Sequence, residues 1–305
     1  MIMKKAGKVT DRITLLGREE STVYHVDGGN DAVLVGGGMI HTIPDIMEQI
    51  EKFGIDEKKI SRVLVLHSHF DHCGIVGFLK KRWPWIVIAA SQPAKEMLVK
   101  QKVIDNINFM NQAAVKKFNV GRKLEMLRVD DFQGITVEMV LSDGQKLMCG
   151  DLTLEIIAVP GHSPCSIAVY LPEEKAMFTS DAAGIAAGNA IFTAANSDFD
   201  KYQQSLEKMA KRDVAVVLAE HYGARTGDEG KMFLKQSIEA AKDYRRQIEA
   251  SLKKTGDPAA STAEITEMAM KMGPSEFLPE EIVTLIASQM VNFIDKKQKS
   301  ESSNQ

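Results

Sequence analysis

The sequence predicts an α/β fold: an αββα sandwich of two mixed sheets covered by helices on their outer faces, followed by a helical C-terminal extension. Three observations carry this. Apolar runs of strand length alternate with stretches of helical period, the pattern of sheets covered by helices. Four apolar runs lead into a metal-ligating side chain, at the strand ends where open α/β sheets hold their ligands. Beyond Lys231 the strand-length runs stop and three amphipathic helical stripes follow.

In chain order, residues 11–36 read as short antiparallel strands broken by Gly28-Gly29 and closed by Gly36-Gly37-Gly38, and Pro44 to Phe53 reads as a helix. Arg62-Val63-Leu64-Val65-Leu66 is a buried-strand pattern. Gly74 to Arg82 is predicted as a helix and Ile86 to Ala90 as the next strand, with Pro84 closing the loop between them. Trp83 and Trp85 flank that proline and are expected as core anchors. From about Gln92 to Val120, Met97, Ile104, Ile107, Met110 and Phe118 follow helical spacing, an insertion beyond a minimal sandwich. Strands near 135–140, 145–148, 152–159, 165–170 and 175–179 form a second run, followed by a helix over 198–211 and the strand Val214 to Leu218.

In the tail, Leu234, Ile238, Ala241, Ile248 and Leu252 line one helix face, which Thr255-Gly256-Asp257-Pro258 ends. Ser261-x-x-Glu264 is a capping-box signature for a second helix through Met268 and Met272. Pro279 opens a third with Ile282, Leu285, Ile286, Met290 and Phe293. Lys296 to Gln305 is polar and expected to be disordered.

The chemistry concentrates in His67-Ser68-His69-Phe70-Asp71-His72, directly after the buried strand. Three of the seven histidines of the chain fall there, so chance clustering explains it poorly. Three further ligands follow other apolar runs: His162 in Val159-Pro160-Gly161-His162, Asp181 after Phe178-Thr179-Ser180, and His221 in Glu220-His221-Tyr222-Gly223. His67, His69, Asp71, His72, His162, Asp181 and His221 are too many for one zinc, whose catalytic sites use three protein ligands and a water. Shared between two divalent ions with one carboxylate bridging, they leave an open position for water. Imidazole and carboxylate suit zinc first, with iron or manganese as alternatives. Water held between such ions ionises near neutral pH and becomes a nucleophile. Asp71 is the candidate to orient it and take its proton. Tyr222 is the candidate proton donor or oxyanion ligand, its alternative being a packed loop tyrosine. Ser68 and Ser163 lack the strand-to-helix setting of a nucleophilic serine and read as loop-shaping hydrogen bonders.

This arrangement resembles the metallo-β-lactamase-fold hydrolase superfamily, whose signature is H-x-H-x-D-H, a Gly-His turn, a strand-end Asp and a final strand-end His. The resemblance runs from about residue 10 to residue 230. It implies that His67, His69 and His162 hold the first metal, that Asp71, His72 and His221 hold the second, and that Asp181 bridges both. An aspartate at the bridging place argues against a true zinc β-lactamase, which usually carries cysteine there. Pro160-Gly161-His162-Ser163 and Phe178-Thr179-Ser180-Asp181 resemble glyoxalase II-like thioesterases, and the helical tail gives a weaker resemblance to the quinolone-signal response thioesterase. The chain departs from the glyoxalase pattern at Ser180, where Gly is usual, and at Ala219-Glu220, where Pro-Gly is usual.

The domains expected are a metallo-β-lactamase-fold catalytic domain over 1–230, with the insertion at about 92–120, and a helical extension over 231–305. The function expected is hydrolysis of a thioester, ester or lactone by a hydroxide held on two metals. The alternatives are a phosphodiesterase on the same centre, an iron-dependent redox enzyme, or a non-catalytic regulator that retains the metals. The substrate expected is a small molecule with a bulky or partly apolar group, because Met-rich helices in the insertion or tail are candidates to cap the cleft. The alternative is that these stripes simply bury against the sandwich or against a second subunit, as in a homodimer. A net charge of −3 recommends no nucleic-acid partner. No run approaches transmembrane length, and the basic amino terminus has no apolar h-region behind it, so a cytoplasmic protein with no membrane partner is expected. Cys73, Cys149 and Cys165 make an odd count without metal-type spacing and read as reduced thiols.

Overall fold

A computed structural model describes residues 1–187, 190–272 and 279–302. Its elements, numbered in chain order, begin with β1 (Ile2–Met3), β2 (Gly7–Lys8), β3 (Ile13–Arg18), β4 (Ser21–Asp27), β5 (Ala32–Val35) and α1 (Ile43–Lys52). There follow β6 (Ile60–Val65), α2 (Val76–Arg82), β7 (Val87–Ser91), α3 (Gln92–Met97), α4 (Gln101–Phe118), α5 (Gly121–Met126) and β8 (Met139–Leu141). Next come β9 (Lys146–Cys149), β10 (Leu152–Ala158), β11 (Ile167–Leu171), β12 (Ala176–Phe178), β13 (Ile185–Ala187), β14 (Ala190–Phe192) and α6 (Phe199–Met209). The chain continues with β15 (Val216–Leu218), β16 (Ala224–Arg225), α7 (Asp228–Thr255), α8 (Pro258–Met272) and α9 (Glu280–Ser302).

The chain divides into two compact units. The first comprises Met1–Ala158, Cys165–Ser180 and Asp213–Lys231 and contains both large sheets. One sheet runs β2-β3-β4-β5-β6-β7-β8, antiparallel as far as β5 and parallel from β5 to β8. The other runs β1-β16-β15-β12-β11-β10-β9, with β12 and β15 its parallel pair. Side chains alternate across each strand, and β6 shows the consequence. Leu64 and Leu66 join Leu15, Tyr24 and Val35 in a core shared with Leu154, Ile156, Val169 and Phe178 of the second sheet. Val63 and Val65 point the other way, into a core with Ile46 and Ile50 of α1, Val76 and Leu79 of α2, and Ile107 of α4. With both faces covered, the chain is apolar from Val63 to Leu66, and the polar Ser61 and Arg62 fall only in the half-buried first part of β6.

The second unit comprises Val159–Pro164, Asp181–Arg212 and Met232–Gln305. In it the hairpin β13–β14 and α6 accompany the tail helices. Leu234, Ala241, Ile248 and Leu252 of α7 are buried as expected. Helix α8 packs against α9 and against β14, and α6 packs against α9. Arg245 donates to Asp200 Oδ1 at 2.8 Å, and Lys297 bonds Asp200 Oδ2, so one carboxylate ties α6 to both α7 and α9.

Several expectations are corrected. The strand expected at 135–140 shrinks to Met139–Leu141. Phe132, Ile135 and Val137 are buried there without ladder partners, after left-handed turns at Arg128 and Gly134. Trp83 is a core anchor whose indole donates to Glu57 at 2.6 Å, whereas Trp85 is half exposed and donates to the Ile60 carbonyl at the sheet margin. Helix α8 starts at Pro258, before the predicted box, because Asp257 already accepts from the Ala259 and Ala260 amides. Ser261 and Glu264 instead bond Thr255 and Ser251. The buried stripe of α9 is Val283, Ile286, Ala287, Met290, Val291 and Ile294, and Leu285 is exposed. The polar end from Lys296 is helical to Ser302, held by Lys297 on Asp200 and by the i,i+4 pair Asp295–Lys299. The side chain of Met272 and residues 303–305 lie outside the described residues.

Candidate metal centre

The ligand motif leaves β6 at its carboxyl end and turns through a short 3-10 segment, Phe70–His72. Helix α4 of the insertion packs on this turn, and Asn111 within α4 accepts from the Ile40 amide, so the insertion braces the loop that carries Asp71 and His72.

In the first unit, five of the seven predicted ligands come together. His72 Nε2 and His221 Nε2 are 3.1 Å apart, and Asp71 Oδ2 lies 3.3 Å from the first and 3.2 Å from the second. Ligands about 2.0–2.1 Å from a tetrahedral ion stand roughly 3.3 Å from one another, so these donor atoms are spaced to share a cation. His67 lies against both His69 and His72, with ring centroids 4.6 and 4.1 Å away. His67, Asp71, His72 and His221 are buried, and His69 is half-buried. Burial alone would raise the Asp71 carboxyl, but the adjacent His72 and the hydrogen bonds from His221 and His72 outweigh it and hold the pKa well below the usual carboxylate range.

Three of these rings, His67, His72 and His221, have an outer partner close to the other nitrogen. His221 Nδ1 meets the Glu20 carbonyl at 2.7 Å. The Glu20 side chain in turn meets His41, which stacks on Phe118 of α4 with ring centroids 4.1 Å apart. His67 Nδ1 lies 3.0 Å from Ser180 Oγ, and His72 Nδ1 lies 3.0 Å from Glu220 Oε2. Such outer partners orient ligating imidazoles and leave Nε2 for the metal.

The second unit carries the other two predicted ligands. His162 Nε2 and Asp181 Oδ2 are 3.5 Å apart, and His162 Nδ1 meets the Ala194 carbonyl at 2.8 Å. The turn before His162 requires its glycine: Gly161 has φ +130°, and a Cβ there would lie 2.2 Å from the Tyr202 amide nitrogen. The Gly161 carbonyl accepts from the Ser197 and Asp198 amides, which seats the turn on the start of α6.

Tyr222 stands beside His221 in a left-handed conformation, φ +58°, its ring half-buried and 5.2 Å beneath the Lys4 ammonium. Ser68 Oγ lies 3.3 Å from Cys165 Sγ. Cys73, Cys149 and Cys165 are buried free thiols, and burial pushes the Cys73 thiol far up, which makes it inert. Glu220 and Glu20 were missed in the sequence. A charged residue between a buried strand and a ligand was a signal for Glu220, but nothing local marks Glu20, which acts through its backbone carbonyl.

The donor set fits a divalent ion, and a buried His/Asp cluster at strand ends of a two-sheet sandwich defines a metal-binding α/β protein. The chain belongs to the metallo-beta-lactamase superfamily, whose family model matches residues 16–221. It is 26% identical over 172 residues to the acyl-coenzyme A thioesterase MBLAC2 of Bos taurus and 25% identical over 169 residues to that of Homo sapiens. Both matches cover 53% of this chain and 57% of the relative, so the chain spans little more than half the length of these relatives. Among solved structures it is similar to a metallo-beta-lactamase family protein of Thermus thermophilus, with a TM-score of 0.68 at 17% identity over 95% of both chains. It is also similar to a beta-lactamase domain protein of Burkholderia ambifaria, with a TM-score of 0.68 at 15% identity over 98% of this chain and 89% of that one. These structural likenesses speak to the fold, and they agree with the α/β sandwich expected from the sequence. No helix among the described residues is long and apolar enough to cross a membrane.

Proposed function

We propose that this protein is a binuclear metal-dependent hydrolase acting on a thioester, with esters and lactones as related substrates. The observation that carries the reading is the convergence of Asp71, His72 and His221 donor atoms at 3.1–3.3 Å, with a second nitrogen of each imidazole already engaged elsewhere. The thioester preference is supported by the acyl-coenzyme A thioesterases, which match about half of the chain.

In this reading His67, His69 and His162 would hold one ion, Asp71, His72 and His221 would hold the other, and Asp181 would serve both. When bound, the two ions supply an acidified water and a Lewis acid for the substrate carbonyl, with zinc the expected metal and iron or manganese its alternatives. Asp71, kept ionised by its histidines, orients the attacking water and accepts its hydrogen bond. Tyr222 is the proposed proton donor to the leaving group. The substrate is a small molecule whose bulky, partly apolar group is received by the Met-bearing helices. Three buried free thiols suit a reducing, cytoplasmic setting.

The test is elemental analysis of protein purified without added metal, with turnover on matched acyl thioesters, esters, lactones and phosphodiesters. We expect about two divalent ions per chain, fastest hydrolysis of a long-chain acyl thioester, and loss of both metal and turnover in His69→Ala. Tyr222→Phe should slow turnover while leaving metal content alone. No specific metal in the wild type would overturn the site, and turnover confined to the phosphodiester would overturn the substrate class.

A further inference from the structure

We propose that Ser180 and Glu220 form one buried relay that positions His67 and His72 together, and so links the outer shells of the two ion sites. This rests on the binuclear reading above. Ser180 Oγ lies 3.0 Å from His67 Nδ1, Glu220 Oε2 lies 3.0 Å from His72 Nδ1, and the Ser180 hydroxyl donates to that same Glu220 oxygen. All four side chains are buried, with no more than 2% exposure.

The polarity of the relay follows from proton count. The Ser180 hydroxyl donates its one proton to Glu220 Oε2, so its lone pair is left to accept from His67 Nδ1–H. The same carboxylate oxygen stands 3.0 Å from His72 Nδ1, where its charge favours a proton on that nitrogen. Both imidazoles then carry their proton on Nδ1 and present a bare Nε2, the form a metal requires. One carboxylate thereby selects the tautomer of a histidine in each ion site.

Two backbone features show that the arrangement is built rather than incidental. Ser180 sits at φ +47°, a left-handed conformation that glycine adopts freely and a side chain adopts at a cost. A residue held there against its preference is explained if its hydroxyl has work to do. Across from it, Gly36 has φ +95°, and a Cβ at that position would lie 2.6 Å from Glu220 Oε1, so a glycine makes room for the carboxylate. Ser180 and Glu220 are also two of the positions where the chain departs from the glyoxalase-like pattern, and here those departures touch each other.

A competing arrangement is possible on the same side chains, because ligating atoms of His67, His72 and Glu220 lie within 4.8 Å of one another. A metal held there would make Glu220 a ligand instead of a positioning residue, and metal stoichiometry separates the two.

The experiment uses the full chain, loaded with zinc, as wild type, Ser180→Gly, Ser180→Ala and Glu220→Gln. Metal content, the rate of zinc loss to a chelator, the melting temperature of the metal-free protein, and its histidine nitrogen NMR signals are measured. In Ser180→Gly we expect about 10- to 100-fold weaker zinc retention, the size seen when outer-shell partners are removed. The metal-free melting temperature should hold or rise, because the left-handed strain is relieved. In wild type the His67 and His72 signals should report Nδ1-protonated rings, and each variant should mix the tautomers. A serine that only packs would leave zinc retention unchanged in Ser180→Gly, and that result overturns the relay. A wild type with three ions, falling to two in Glu220→Gln, overturns it in favour of a third site. Failure of the wild type to bind zinc would instead remove the binuclear reading itself.

Discussion

His162 depends on a glycine more than on its own neighbours in sequence. Gly161 has no room for a side chain, since its Cβ would meet the amide nitrogen and Cα of Tyr202 at 2.2 and 2.3 Å, and its φ of +130° is hostile to any other residue. Gly161→Ala should therefore cost about 3 kcal/mol or more, and a thermal melt would show it. A melting temperature equal to wild type would mean the turn relaxes and that the close approach to α6 is not required. The same residue scale explains what could be read from sequence about the ligands. All seven predicted ligands are buried or half-buried, and each was legible because it is a metal-type side chain following an apolar run. Their outer partners were not legible in the same way. Carbonyls of Glu20 and Ala194 aim His221 and His162, and any residue type supplies a carbonyl.

Elements are joined by side chains whose partners lie far away in sequence, and Asp200 is the clearest case. Its carboxylate faces Arg245 of α7 and Lys297 of α9. Burial would raise its pKa, but those two cations outweigh burial and lower it. A carboxyl depressed in the folded state contributes stability that is present above its unfolded pKa of about 3.9 and is lost as pH falls through the lower folded value. Asp200→Asn should thus destabilise by about 0.5–1 kcal/mol at neutral pH, a small figure because the groups are partly exposed. The gap from wild type should close as the pH drops below about 3.9. Urea titrations at neutral and acidic pH check this, and a gap that persists in acid would show that the carboxylate charge is not what joins the helices. Helix existence and period were legible in the tail as far as its polar end from Lys296, whereas the exact face of α9 was not. Six of its apolar side chains are buried, and neighbouring Leu285 is left out because only contacts with α6 and α8 choose among nearly equivalent stripes.

At the scale of the molecule, the tail and the His162 and Asp181 turns belong to one compact unit. Tyr244 of α7 meets Phe192 of β14 edge-on at 6.2 Å, α8 packs on β14, and the chain from β14 leads to the Ala194 carbonyl that aims His162. Ending the chain near residue 230 should therefore reduce metal content and native near-ultraviolet dichroism, not merely shift acyl preference. A truncated protein that stays folded with two ions and only a changed preference would make the tail a lid and nothing more. The sequence by itself determined the α/β sandwich, the seven candidate ligands and the helical tail, because apolar periodicity and ligand type are local and chemically distinctive. Only the tertiary structure decided that Ser180 meets Glu220, that Phe118 backs the support of His221, and which stripe of α9 is buried. Those outcomes depend on which distant groups arrive at hydrogen-bond distance, and no local pattern in the chain encodes that.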